Sequence, residues 1–356
     1  MLLTSGYDYD YGNARLRARR AALLSGAEIE QLLDLDLDGI AGALSTTGYR
    51  GALERVTVRS HGAARIHNAV RLHLATMLEG TRRMYEGEAK HLVDLALADV
   101  DLHNTLVLLR AHIHGGDREA AVVQLVPLGN ITDALAREVL RQPEFAAAVQ
   151  LIVRWKLPDP ETARVLRMAW PLYEVDRNIA RLEHALCAAT AARVIAGARA
   201  ARADGAELLR AAGREADERN LIVALRAQAG SATEPAFLPQ TNLDLQSLSR
   251  AATAPARGAA VAGLATVARD SWRRPLERYA AGGDLTELEL ELERHRLVDT
   301  VGRFDRGDPL GFGIPLAWIT ATTLEARNLR LVAERAERDM NPDLVRPLLI
   351  FADRTT

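Results

Sequence analysis

The sequence predicts an all-α protein, and three observations carry that prediction. Ala, Leu and Arg dominate, while aromatic residues make up only 4% of the 356. Those abundant side chains lose little freedom in a helix, and the β-branched and aromatic types that suit a pleated surface are sparse. Helix-start signals recur along the chain, whereas no alternating run is flanked by the Asn-Gly or Asp-Gly turns of a hairpin. An acid-x-x-Asn helix motif returns four times, and Asn is a costly choice inside a helix unless something rewards it. With 48% hydrophobic residues the chain has enough apolar material for a folded core.

Taken in order, the elements read as follows. Leu33 to Asp38 alternates, but the stretch is short and isolated. Gly115-Gly116 ends one helix and Asp117 begins the next. Asp159 caps a helix whose first position is Pro160, and Glu161 favours its positive end. A long helical pattern then runs from about 160 to 200. Asp284 and Glu287 stand at capping-box spacing and open another helix. Pro309 to Leu316 is an apolar, Gly- and Pro-punctuated corner leading into the last long helix. Asn341-Pro342-Asp343 begins a short final one.

Net charge is −2, with both signs interleaved, so no field for nucleic acid is available. Lys90 and Lys156 are the only lysines among 45 basic residues, which leaves almost no candidate for lysine chemistry. Cys187 is the sole cysteine, excluding an internal disulfide and fitting a reducing cytoplasm. It reads as a small buried hydrophobe. The first residues lack a basic-then-apolar leader pattern. No apolar run reaches the ~20 residues needed to span a bilayer; the longest, Gly258 to Ala268, is about half that.

The four repeat copies place Asp10 with Asn13, Asp101 with Asn104, Asp217 with Asn220 and Glu325 with Asn328. An apolar residue follows each Asn by three, so acid, Asn and apolar residue share one helix face. Arg19, Arg110 and Arg226 lie six past the first three Asn; Glu334 takes that place in the fourth, with Arg335 next. Thr46 with Arg50-Gly51-Ala52 and Thr253 with Arg257-Gly258-Ala259 form a second match. Both arginines stand equally far past their Asn. The pattern reads as about three duplicated units, with a fourth Asn helix closing the chain. The expected role of Asn is a buried hydrogen bond across a helix pair that fixes register.

Candidate chemistry is thin. Neither lysine follows a Gly-rich loop, so no P-loop is present. Gly311-Phe312-Gly313 resembles the start of a dinucleotide loop, but Pro315 and the helical context oppose it. There is no G-x-S-x-G elbow. Glu88 and His91 have the spacing of half a di-iron site, and no second Glu-x-x-His exists. His112 and His114 point to different helix faces, and His184 with Cys187 supplies two ligands where a closed zinc site needs four. No catalytic residue, metal ligand or cofactor is therefore assigned. The Arg15, Arg17, Arg19, Arg20 cluster is either a surface for an acidic partner or a solvated face with Asp8 and Asp10 as local partners.

Several segments together resemble the C subunit of bacterial and archaeal A/V-type rotary ATPases, the AC39-like family related to the eukaryotic d subunit. They are Tyr11-Gly12-Asn13-Ala14-Arg15-Leu16-Arg17-Ala18-Arg19-Arg20, Asp101-Leu102-His103-Asn104 with Leu108-Leu109-Arg110-Ala111, and Glu218-Arg219-Asn220-Leu221. Asp308-Pro309-Leu310-Gly311 and Glu325-Ala326-Arg327-Asn328-Leu329-Arg330 complete the set. They span nearly the whole chain; from about 160 to 215 little beyond helicity matches.

The resemblance implies three similar helical lobes with pseudo-threefold symmetry forming a funnel. They are expected at residues 1–100, 101–215 and 216–356, the last with the closing C-terminal helices. It implies a non-catalytic central-stalk subunit that links a membrane rotor ring to a central shaft and transmits torque for proton or other ion transport. It further implies no cofactor, a cytoplasmic place peripheral to the membrane, and membrane contact only through the complex. The Asn motifs are then marks of lobe architecture. The competing readings are a helical-repeat scaffold unrelated to ATPases, and a helical-bundle metalloenzyme.

Overall fold

The computed structural model describes residues 8–56, 61–113, 118–230 and 235–352. Among these every regular element is a helix and none is a strand. The Gly115-Gly116-Asp117 boundary and His114 lie outside the described residues. The chain divides into two compact units, residues 1–186 with 301–356, and residues 187–300.

In the first unit the Gly62–Arg82 helix packs along the Gly313–Glu337 helix. Ile66, Ala69, Val70, Leu74 and Leu78 recur at three- and four-residue steps and are buried, which gives the first helix one apolar stripe. Ile314, Trp318, Leu329 and Val332 of the second helix are fully buried. The Asp10–Arg19 and Arg50–Val56 helices lie against this pair. The Ala98–Ile113, Asp133–Arg141, Phe145–Trp155 and Pro160–Asp176 helices form a further layer of the same unit.

The second unit is built on the Ala206–Gln228 helix, with Leu245–Ala252, Arg257–Ala265, Arg273–Ala280 and Leu285–Val301. Leu221, Leu225, Leu248, Leu264, Trp272, Leu276 and Leu292 form its core.

Helix starts follow local chemistry. Asp159 accepts from the Glu161 and Thr162 N–H groups at 2.9 and 3.0 Å, with Pro160 behind it. Asp284 accepts from Thr286 N–H at 2.6 Å as the Leu285–Val301 helix begins, and Asn341 accepts from Asp343 N–H at 2.9 Å. Ser25 and Glu28 form a full capping box. The Leu33–Asp38 alternation is the turn at 33–36 and the first two residues of the Leu37–Leu44 helix, which Asp36 caps by accepting from Gly39 N–H at 2.8 Å.

Two expectations need correction. The helical run from about 160 to 200 is two helices, Pro160–Asp176 and Ile179–Ala200. Arg177 is left-handed at φ 54°, Asp176 accepts from Asn178 N–H, and Asn178 accepts from Ala180 N–H. Side chains thus stop one helix and cap the next. Cys187 is half-buried, so it is not a core hydrophobe.

Candidate functional site

The four motif asparagines are all at most 1% exposed. Three use one geometry. The Asn104 side chain donates to the Val126 carbonyl at 2.7 Å and accepts from the Val126 N–H at 2.8 Å. Asn220 does the same to Leu238 at 2.9 and 2.7 Å. Asn328 does so to Ile350 at 2.8 and 3.2 Å. The partner lies 22, 18 and 22 residues downstream, on a non-helical return segment in each case.

The partner is therefore a main chain and not a second helix. A helical residue spends its N–H and C=O within the helix. A non-helical residue has both to place, and a carboxamide offers the matching donor and acceptor. Buried backbone groups must be satisfied, so the Asn fastens the return segment to its own helix.

Asn13 departs from this. It donates to the Pro309 and Gly311 carbonyls at 2.9 and 3.0 Å and accepts from Tyr85 Oη–H at 2.7 Å. Pro309 has no N–H to return, so the carboxamide oxygen turns to tyrosine. Gly12 gives the room beside it, because a Cβ there would come within 2.4 Å of the Tyr85 ring. The 309–316 stretch is accordingly a packed corner, with Phe312 and Ile314 buried and the last long helix starting at Gly313.

The acids diverge. Asp217 is buried and grips the segment that Asn220 holds. Its oxygens accept from Thr241 Oγ1 at 2.7 Å, Asn242 N–H at 2.6 Å and Arg269 Nη2 at 2.9 Å. Glu325 accepts from Leu24 N–H at 2.6 Å and Tyr49 Oη–H at 2.7 Å. Burial pushes its carboxyl up to about 7, against those two hydrogen bonds. Asp10 is exposed and Asp101 half-buried.

The arginines diverge too. Arg110 grips Glu183 through two bonds at 2.6 and 2.9 Å, Arg226 pairs with Glu289, and Arg335 donates to the Leu35 carbonyl. Arg50 and Arg257 both begin helices, and Thr46 and Thr253 each bond back to the preceding one. Yet Arg50 makes an exposed pair with Glu54, while Arg257 stacks on Tyr279 and donates to Gly283.

Arg20 forks onto Asp305 at 2.7 and 3.0 Å and stacks on Phe304, and Arg17 donates to the Phe304 carbonyl. The partners are distant in sequence; Asp8 instead accepts from Asp10 N–H. A pocket of about 510 Å³ in the first unit is lined by Arg20, Ser25, Glu325 and Asn328 among apolar residues. Each of those polar side chains is already engaged within the chain. The arrangement holds segments together.

Sequence reasoning missed several residues. Tyr49 and Tyr85 carry long-range bonds, and burial raises both phenols. Arg71, buried, forks onto Asp133 with both contacts at 2.7 Å. Glu218, beside Asp217 and bonded to Arg296 at 2.7 Å, is pushed up to about 7 by burial. Only the Ser25-x-x-Glu28 box carried a local signal. Among the described residues no group of three His, Cys, Asp or Glu side chains is placed to hold a metal ion.

Residues 12–348 match the family described as ATP synthase (C/AC39) subunit. The chain is similar to the C subunit of the V-type ATP synthase of Thermus thermophilus, 29% identical over 92% of this chain and 94% of that protein. It is similar to the C subunit of the A-type ATP synthase of Haloferax volcanii, 26% identical over 99% of this chain and 100% of that protein. It is also similar to the C subunit of the V-type ATP synthase of Deinococcus radiodurans, 22% identical over 95% of this chain and 90% of that protein.

Proposed function

Because the chain belongs to the ATP synthase (C/AC39) subunit family, we propose that it is a non-catalytic central-stalk subunit of a rotary ATPase. In this reading it sits between the membrane rotor ring and the central shaft. It passes torque between them while proton or other ion transport is coupled to ATP synthesis or hydrolysis. Its partners are other subunits of that complex.

The observation that carries the reading is the family match over residues 12–348, together with relatives that align over 92% and 99% of this chain. Family membership speaks against a helical scaffold unrelated to ATPases. Close-packed helices supply the stiffness that torque transfer demands. Among the described residues no helix is long and apolar enough to cross a membrane; the proposed place, peripheral to the membrane on the cytoplasmic side, rests on the family. The three lobes at 1–100, 101–215 and 216–356, their pseudo-threefold funnel, and the architectural role of the Asn copies belong to the same proposal.

The test is an affinity-tagged chain recovered in mild detergent from cells that make the complex. Co-recovery of a membrane ring protein and a coiled-coil shaft protein is the expected result. Clean recovery of the chain alone, or with stator proteins only, refutes the placement.

A further inference from the structure

The Pro160–Asp176 helix carries an unusual outer face. Met168 and Leu172 are 65% and 57% exposed, and Val175 is 87% exposed, the highest among the large apolar side chains of the described residues. Pro171 is exposed beside them. At 100° per residue these four positions fall within one arc centred on the solvent side. Leu166 and Tyr173, on the opposite side, are buried. A contiguous apolar stripe on an outer face marks an interaction surface, where scattered single residues do not.

One flank of the stripe is charged in a specific order. Arg167 and Glu174 stand seven apart, so they share a flank two turns from each other. Both are exposed, and neither has an ion-pair partner among the described residues. Charges nearby are already engaged: Arg164 with Glu161, Arg181 with Asp176, and Arg177 over the Tyr173 ring.

This face is complementary to itself. A two-fold axis near Pro171 and Leu172, perpendicular to the helix, brings two such helices together antiparallel. Met168 then meets Val175 of the second copy, and the two Leu172 side chains lie beside the axis. A two-fold keeps each flank on its own side, so Arg167 meets Glu174 of the second copy, and Glu174 meets Arg167. Two opposite charges left open at this spacing close two symmetric ion pairs, as an isologous contact requires.

We infer that the outer face of the Pro160–Asp176 helix is a docking surface for the same face of a second copy of this chain. The patch is one helix wide, well below a standard interface, so the dimer is weak, with Kd on the order of 100 μM. The inference concerns the chain on its own and is independent of the rotary-stalk reading.

The test is analytical ultracentrifugation of the purified full chain across roughly 10 to 500 μM, a range that brackets such a Kd. Reversible monomer–dimer behaviour is expected. Leu172→Asp abolishes it. Arg167→Glu sets Glu against Glu174 of the other copy, Glu174→Arg sets Arg against Arg167, and each weakens the dimer about tenfold or more. The double variant R167E/E174R restores complementarity and returns Kd to within about threefold of the parent. All these side chains are exposed, and far-ultraviolet circular dichroism checks that each variant folds.

A monomer throughout the range overturns the inference, as does a double variant no better than the single ones. A monomeric chain whose Leu172→Asp variant loses co-recovery of its rotary-complex partners assigns the face to one of them, and also overturns self-pairing.

Discussion

Replacing Asn220 by Ala removes a side chain that satisfies both backbone groups of Leu238. The bonds are 2.9 and 2.7 Å, Asn220 is 1% exposed and Leu238 is 5% exposed. Water has little access to the orphaned N–H and C=O, and each buried unsatisfied group costs ~1–2 kcal/mol. The pair sums to ~2–4 kcal/mol, or about 30- to 1,000-fold in the local opening constant. Asn220→Asp is predicted to be at least as harmful. One carboxylate oxygen keeps the bond from Leu238 N–H, but the other faces the Leu238 carbonyl at donor distance. The assay is native-state hydrogen exchange at the Leu238 amide, with urea unfolding of the same variants. Arg50→Ala, which removes only an exposed pair with Glu54, is the control and costs under ~0.5 kcal/mol. If Asn220→Ala leaves Leu238 protected and costs no more than that control, the clamp does not fasten the segment.

Three further outcomes are expected. Gly12→Ala drives a methyl into the Tyr85 ring and disturbs the Tyr85–Asn13 bond, lowering stability by ~2–3 kcal/mol in urea melts. Glu325 has a raised folded pKa, so its contribution is full below the unfolded value near 4.5 and is lost as pH rises through about 7. Glu325→Gln should therefore flatten the pH dependence of stability between about 4.5 and 7 relative to the parent, measured by urea midpoints at several pH values. Arg71→Lys keeps the charge but loses the fork onto Asp133, and a loss of ~1–2 kcal/mol in the same melts is expected.

The all-helical class was legible because it rests on local quantities: residue propensities, caps such as Asp159-Pro160, and three- and four-residue apolar steps. The Asn copies were legible because a residue that disfavours helices kept recurring inside them. Their partners were not. A carboxamide that grips a main chain needs no particular side chain at Val126, Leu238 or Ile350, so those positions carry no mark. Tyr49, Tyr85 and the Arg71–Asp133 pair were hidden for the related reason that their partners are far away in sequence. The break at Arg177 was missed because helical periodicity resumes at Ile179, and the Asp176 and Asn178 caps are short-range details beneath it.

The clamps bear on how an all-helical body keeps its shape under load. Hydrogen bonds within a helix stiffen that helix and do nothing to hold the connecting segment that follows it. Among the described residues the return segments at Val126, Leu238 and Ile350 have no strand partner, and a side chain satisfies their backbone groups. Asn supplies both bonds from a position already fixed by helix packing, and Asp217 adds further grips on the 241–243 stretch. A shaft-coupling part that let such segments slip would absorb torque as local opening instead of transmitting it. On the proposed role, then, losing one clamp should reduce coupling between ion flow and ATP turnover before it unfolds the protein. Asn220→Ala in the assembled complex is expected to leave the complex intact while lowering proton pumping per ATP hydrolysed. Unchanged coupling in a complex whose Leu238 amide has lost its protection would show that the segment carries no load.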